Sequence, residues 1–398
     1  MDATHEIPSP RQMALFSYGF RPFFLGGALW AAVAMALWIG MLSGALELTT
    51  QLDPVSWHAH EFLFGYLSAV IAGFLLTAVP NWTNRAPLSG SPLAGLFILW
   101  AAGRTAIALG SWLNPLFVAV VDLSFLPVLA MIVAREIIAG RNWRNLIVLA
   151  LLGVFISANT TFHVGQINDT YDAQELGLRI GLVAAILLVA LIGGRIVPAF
   201  TRNWLKKRGA ERLPTPPMQR FDIGAMVMLL VACALWSLAP EAAITGVALG
   251  FAGLAHSVRL LRWQGGQTGA EPLLWILHMA YGFVPLGSFA MAGSILWPDM
   301  LSANAAQHMW MAGAIGLMTL AVMTRATLGH TGAALHADLR TLTLYLCLLS
   351  SIACRVLAGL LPDFTASLHS ASGILWISAF AGFALIYGPR ILRTRNGN

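Results

Sequence analysis

The sequence predicts an all-α, polytopic membrane protein of about twelve transmembrane helices. Three observations carry this reading. Of 398 residues, 58% are hydrophobic and 10% are charged, against ~25% charged in ordinary soluble domains. Apolar runs of about 20 residues, each long enough to cross a bilayer core, recur along the whole chain. The runs are unbroken, whereas strands of a membrane barrel would be short and alternating, so they read as helices.

In order, the helices are expected at 22–44, 57–80, 93–111, 115–138, 143–165, 174–200, 221–239, 241–262, 271–296, 302–327, 340–361 and 370–391. Lysine and arginine, which stay on the cytoplasmic side of a membrane, test this count. With the N-terminus inside, all of the 23 basic residues except Arg104, Arg179, Arg195 and Arg355 fall in inside segments. The outside loops carry Glu47, Asp53, Asp169, Asp172, Asp299 and Asp363 instead. Both termini are therefore expected in the cytoplasm. The formal charge of +6 reflects topology and is not the footprint of a nucleic-acid partner.

The domain organisation follows. Residues 1–21 form a cytoplasmic tail, 22–392 a twelve-helix transmembrane domain, and 393–398 a second cytoplasmic tail. The basic connection "TRNWLKKRGAERLPTPPMQR" (201–220) links two six-helix halves. The start, "MDATHEIPSPRQM", is polar, and the first apolar run is long enough to remain as a span, so a cleavable signal peptide is not expected. Similar endings on helices two ("TAVPNWTNR"), six ("IVPAFTRNW") and ten ("AVMTRATLGH") suggest three four-helix pseudo-repeats.

Polar groups inside the spans point to function. An arginine within a span costs several kcal/mol unless it finds a partner or water. Arg104, Arg179 and Arg355 lie toward the outer half, and Asp122 or Glu61 could neutralise them. The ten histidines sort by depth. His5 and His336 are expected in solvent. An outer layer contains His58 and His60 at the start of helix two, His163, His308 and His369. An inner layer contains His256, His278 and His330. A buried, unpaired imidazole is costly, and histidine is the commonest side-chain metal ligand. The outer layer of His58, His60, His163 and His308 is the first candidate for a metal centre. The inner layer of His256, His278 and His330 is a candidate for a second.

In "WHAHEFLFGY" (57–66), His58 and His60 project about 200° apart on a regular helix and so should serve different partners. Glu61 shares a face with His58 and is expected to orient it. Asn159 and Asn304 each lie one turn before a histidine and could hydrogen-bond a ring nitrogen. Cys233, Cys347 and Cys354 form no CxxC or CxxCH pattern, which argues against covalent haem attachment and thiolate zinc. Imidazole-rich sites suit copper or the iron of haem. Arg104, Arg179 and Arg355 could then pair with haem propionates.

Four stretches, "FRPFFLGGALW", "WHAHEFLFGYLSAVIAGFLLTAVPNWTNRAPLSG", "GGRIVPAFTRNW" and "VMTRATLGHTG", together resemble the NnrS family, from residue 20 to about 332. The resemblance implies a multi-pass protein of the bacterial inner membrane that binds non-covalent haem, of b type or another, together with copper. It also implies a role with nitric oxide in denitrification or nitrosative-stress protection, supplied by an electron donor that the sequence does not identify. A nitric-oxide-related oxidoreductase is one form such a role could take, with no catalytic residue assigned. His58, His60 and His330 lie in the motifs themselves. Ala333 stands where the family often has arginine after "GHTG". A transporter for a small anionic or metal-linked substrate is the alternative, with "GGRIVP" as a broken helix lining a path.

Overall fold

A computed structural model describes residues 14–393; the remaining tail residues, with His5, Arg11 and Arg395, lie outside the described residues. All regular structure among the described residues is helical. Twelve helices are long and apolar enough to cross a membrane. We number them α1 (Phe20–Leu42), α2 (Pro54–Thr83), α3 (Ser91–Ala108), α4 (Pro115–Ala139), α5 (Trp143–Ile167), α6 (Tyr171–Lys207), α7 (Arg220–Leu238), α8 (Ala243–Leu261), α9 (Pro272–Leu296), α10 (Ala303–His330), α11 (Leu339–Ala358) and α12 (Pro362–Leu392). With no water to satisfy backbone groups in hydrocarbon, each run closes its own hydrogen bonds.

Burial separates a centre from a periphery. In α2, α6 and α10 the most apolar stretch is 78%, 72% and 72% buried, while α1 reaches only 28%. These three recur every four helices, the spacing of the echoed endings in the sequence. Tyr66 of α2 and Thr319 of α10 share a 2.6 Å hydrogen bond. Gly181 of α6 packs against Leu63 and Phe64 of α2. α9 is also largely enclosed, at 67%. The peripheral helices turn Ile98, Leu116, Met131 and Leu385 outward, as a lipid-facing surface requires.

Two central helices share a local irregularity. Asp53 caps α2 by accepting from the backbone of Val55 and Ser56. After His60 the helix widens into π-type winding over Glu61–Tyr66. Ser302 caps α10, which widens in the same way over Met309–Leu317, directly after His308. Such bulges concentrate at functional sites because they re-aim side chains without ending the helix.

α6 is longer than expected. It continues past residue 200 to Lys207, because "TRNWLKK" contains no breaker and its cations complement the C-terminal end of the helix dipole. Thirty-seven residues span roughly 55 Å, so the helix projects beyond a core of about 30 Å. The connection to α7 is correspondingly shorter and is docked. Arg202 donates to the Pro214 carbonyl at 2.9 Å, and Gln267 to that of Arg212 at 3.2 Å. "GGRIVP" does not break α6. Gly193 faces Tyr281, and a Cβ on Gly194 would collide with the Arg259 guanidinium, so the glycines admit side chains from α9 and α8.

Candidate metal centre

The outer histidine layer resolves into two groups, both at the end of the bundle opposite the basic loops. Their separation begins with the half-turn offset between His58 and His60. The His60 ring faces α4 and α5, where its centroid lies 5.3 Å from that of His163. The His58 ring stacks on Trp38 of α1 at 4.5 Å.

The first group is fully enclosed. His60 and Glu61 have no exposed surface, Asn159 retains 1%, Asp122 and His163 3% each, and Arg104 5%. Asp122 sits two turns into α4, between apolar neighbours. Its Oδ1 accepts from Arg104 of α3. Its Oδ2 accepts from Asn159 Nδ2 of α5 at 2.9 Å and lies 2.9 Å from His163 Nε2. Arg104 also donates to Glu61 Oε1 at 2.5 Å. One guanidinium thus bridges two carboxylates. Gly65 makes room for this bridge, since a Cβ there would come within 2.5 Å of Arg104 Nη1 and 2.8 Å of Glu61 Oε2.

Glu61 takes His60, not His58, as its partner, contrary to regular helical geometry. Its Oε1 lies 3.0 Å from His60 Nδ1. Two features redirect it: the π winding starts at Glu61, and Arg104 draws the carboxylate toward α3. The contact fixes the chemistry of the ring. A carboxylate only accepts, so Nδ1 carries the hydrogen, and in the neutral ring Nε2 presents a lone pair. That lone pair faces Asn159 Oδ1 at 3.2 Å and Asp122 Oδ2 at 3.4 Å. The Asn159 amide cannot flip to relieve this, because its nitrogen is held by Asp122. Three acceptors therefore converge, and only a cation between them, a proton or a metal ion, satisfies all of them. Ligand atoms of His60, Asp122 and His163 lie within 4.8 Å of one another. Two imidazoles and one carboxylate form a set suited to a transition metal.

The second group is more open. His58 and His308 both lie deep among surrounding protein atoms, within electrostatic range of Arg355, yet both retain accessible surface. His308 Nδ1 donates to the Asn304 carbonyl at 2.7 Å, which leaves Nε2 with its lone pair free. His58 Nδ1 is buried and has no hydrogen-bond partner among the described residues. Phe62 packs on the other side of His58 at 4.7 Å and leads to Trp376 at 5.6 Å. His369 lies near Arg355 and His308 as well.

The inner histidines do not converge. His256 uses both ring nitrogens, on Tyr281 Oη at 2.8 Å and the Ala225 carbonyl at 3.1 Å. His278 is bonded to Thr201 at 2.8 Å, and its other nitrogen packs against Gly265. His330 is exposed and stacks on Tyr18 at 5.4 Å. This end of the bundle instead holds a buried ion pair between Asp222 and Arg259, at 3.0 Å. Of the other arginines, Arg195 donates to Asn145 at 2.8 Å, and Arg179 lies 4.0 Å from Glu175.

Asp122, which sequence reading treated only as a counter-ion, joins His60 and His163 in the cluster. The signal was an acid two turns into an apolar span, which is a functional candidate by default. The expectation that Arg104 meets a propionate meets a different geometry, since both carboxylates already occupy it.

Twelve candidate spans around a buried histidine–aspartate cluster that could hold a metal ion define a multi-pass membrane protein. Residues 14–395 match the family described as NnrS protein, and the chain belongs to that family. No curated protein matches it.

Proposed function

We propose that the chain is a haem–copper protein of the bacterial inner membrane that binds and handles nitric oxide, with its basic end in the cytoplasm. The observation that carries the reading is the convergence of His60, Asp122 and His163, whose ligand atoms lie within 4.8 Å of one another in a cluster closed to solvent. The donor set fits copper: His60 is oriented through its other nitrogen by Glu61, and the cluster is closed to solvent. Family membership supports the role with nitric oxide in denitrification or nitrosative-stress protection. The cytoplasmic placement rests on the distribution of lysine and arginine.

Haem is assigned to the side chains around His58 and His308. His308 has the form of an axial ligand, one nitrogen donating to a backbone carbonyl and the other free. His58 supplies a second imidazole, Trp38, Phe62 and Trp376 supply aromatic walls, and Arg355 supplies a cation for a propionate. When bound, haem would supply reversible iron redox chemistry and a site for a diatomic gas. The protein's own part is to hold the imidazoles and to place one copper ligand, His60, two residues further along the same helix as His58. An electron donor outside the chain would reset the oxidation state.

An absorption spectrum of the purified protein in detergent, read alongside metal content, tests this assignment. The expected result is a Soret band that shifts on reduction and again on adding nitric oxide. His308→Ala should remove or shift that band while leaving copper in place. A colourless wild-type protein, or a His308→Ala variant with unchanged haem content and spectrum, contradicts it.

A further inference from the structure

We propose that the cleft between the C-terminal ends of α2 and α4 binds an anionic phospholipid, with its phosphate on Arg85 and Arg135 and an acyl chain along the apolar side chains beside them. The cleft lies at the basic end of the bundle, opposite the histidine–aspartate cluster, and is a separate site.

The cleft has a volume of about 340 Å³, within the range of roughly 300–1,000 Å³ for small-molecule sites. Leu76 and Val79 from α2 and Ile132 and Val133 from α4 line it, and the connection 85–89 completes it. Asn84 ends α2 in a left-handed conformation (φ 55°), and the chain then brings Arg85 to the end of α4. There Arg85 donates through Nε to one oxygen of Glu136. Arg135 donates through its own Nε to the other oxygen at 2.9 Å. One acid thus fixes two cations side by side. Among the described residues, neither Nη of Arg85 and not Nη1 of Arg135 has a hydrogen-bond partner. The two side chains are 43% and 68% exposed, so these N–H groups can be reached from outside. Guanidinium forks of this kind match the oxygens of a phosphate. The surroundings select a lipid as the source of that phosphate. Met131, Arg135 and Ile138 share one face of α4, and Met131 and Ile138 are 63% and 54% exposed, so Arg135 lies on the lipid-facing surface. Trp143, at the start of α5 and 57% exposed, places this level at the membrane interface. Basic pockets between spans at this depth suit acidic head groups, and the apolar lining is covered by an acyl chain but not by a free anion.

The test uses the full-length protein, delipidated in detergent, with phosphatidylglycerol, phosphatidylethanolamine, glycerol phosphate and inorganic phosphate as separate probes. Native mass spectrometry reads the lipid bound per protein, and thermal unfolding reads the stabilisation by each probe. Wild-type protein should bind phosphatidylglycerol in preference to phosphatidylethanolamine, and the two soluble phosphates should not replace it. The double variant Arg85→Gln/Arg135→Gln should bind phosphatidylglycerol about tenfold more weakly or worse. Exposed ion pairs contribute little to stability, so it should still fold; if it does not, Arg135→Gln alone decides, with a smaller loss expected. Arg141→Gln/Arg144→Gln removes the same charge outside the cleft and should bind as wild type does. Unchanged binding in the Arg85 and Arg135 variants overturns the site. An equal loss in both double variants overturns it in favour of a diffuse basic surface. Equal binding of phosphatidylethanolamine overturns the selectivity for an anionic lipid, and equal stabilisation by the soluble phosphates overturns the lipid in favour of a free anion.

Discussion

Asp122→Ala is expected to remove copper from the protein and to destabilise it by about 3–5 kcal/mol, the range for breaking a buried ion pair on one side. The cost arises from what the carboxylate leaves behind. Arg104 keeps only Glu61 as an ionic partner. The Asn159 amide nitrogen loses its acceptor, and His163 loses the oxygen at 2.9 Å. All of these groups are buried, so water does not replace the lost partner. Thermal unfolding in detergent and copper content measured on the same preparation check both parts. Asp122→Asn separates them: it keeps the shape and removes the charge, so copper binding should fall further than stability. Wild-type copper content in Asp122→Ala would exclude the residue as a ligand.

Asp222→Ala is the matching experiment at the basic end. It leaves the Arg259 guanidinium, which has no exposed surface, with neutral partners: the Ala190 carbonyl at 3.0 Å and Tyr281 Oη at 2.7 Å. It also removes the side chain that accepts from the Gln219 backbone in the cap of α7. A loss of about 3–5 kcal/mol is again expected from the unpaired buried charge. Copper and haem per folded molecule should not change, because no proposed ligand touches this pair. A variant that folds normally but loses either cofactor would show that the basic end takes part in cofactor binding.

The contrast between these two ion pairs shows what the sequence disclosed. The number of spans was legible because the bilayer dictates a long apolar run for each crossing, and the arginines checked the count independently. Helix ends were less legible. Residues 201–207 read as linker by polarity, but they continue α6 because nothing in them breaks a helix.

At the site, His60 and His163 stood out as imidazoles in apolar surroundings, and the offset of His58 from His60 anticipated that the two face different partners. The choice of His60 by Glu61 was hidden, since regular helical geometry does not contain the π winding that begins there. Asp122 was visible as an acid but not as a candidate ligand, because the same residue type serves as counter-ion to a buried arginine, and here it faces both Arg104 and the two imidazoles. The inner histidines illustrate the opposite limit. His256 looks like a free ligand in sequence, and only the fold brings Tyr281 and the Ala225 carbonyl to its two nitrogens.

The most direct measurement is anomalous scattering at the copper edge from crystals of the purified, copper-loaded protein. A peak lying between His60 Nε2, His163 Nε2 and Asp122 Oδ2, within bonding distance of all three, is the predicted result. A copper peak elsewhere, or no peak with a protonated His60 holding Asp122 and Asn159 together, would contradict it.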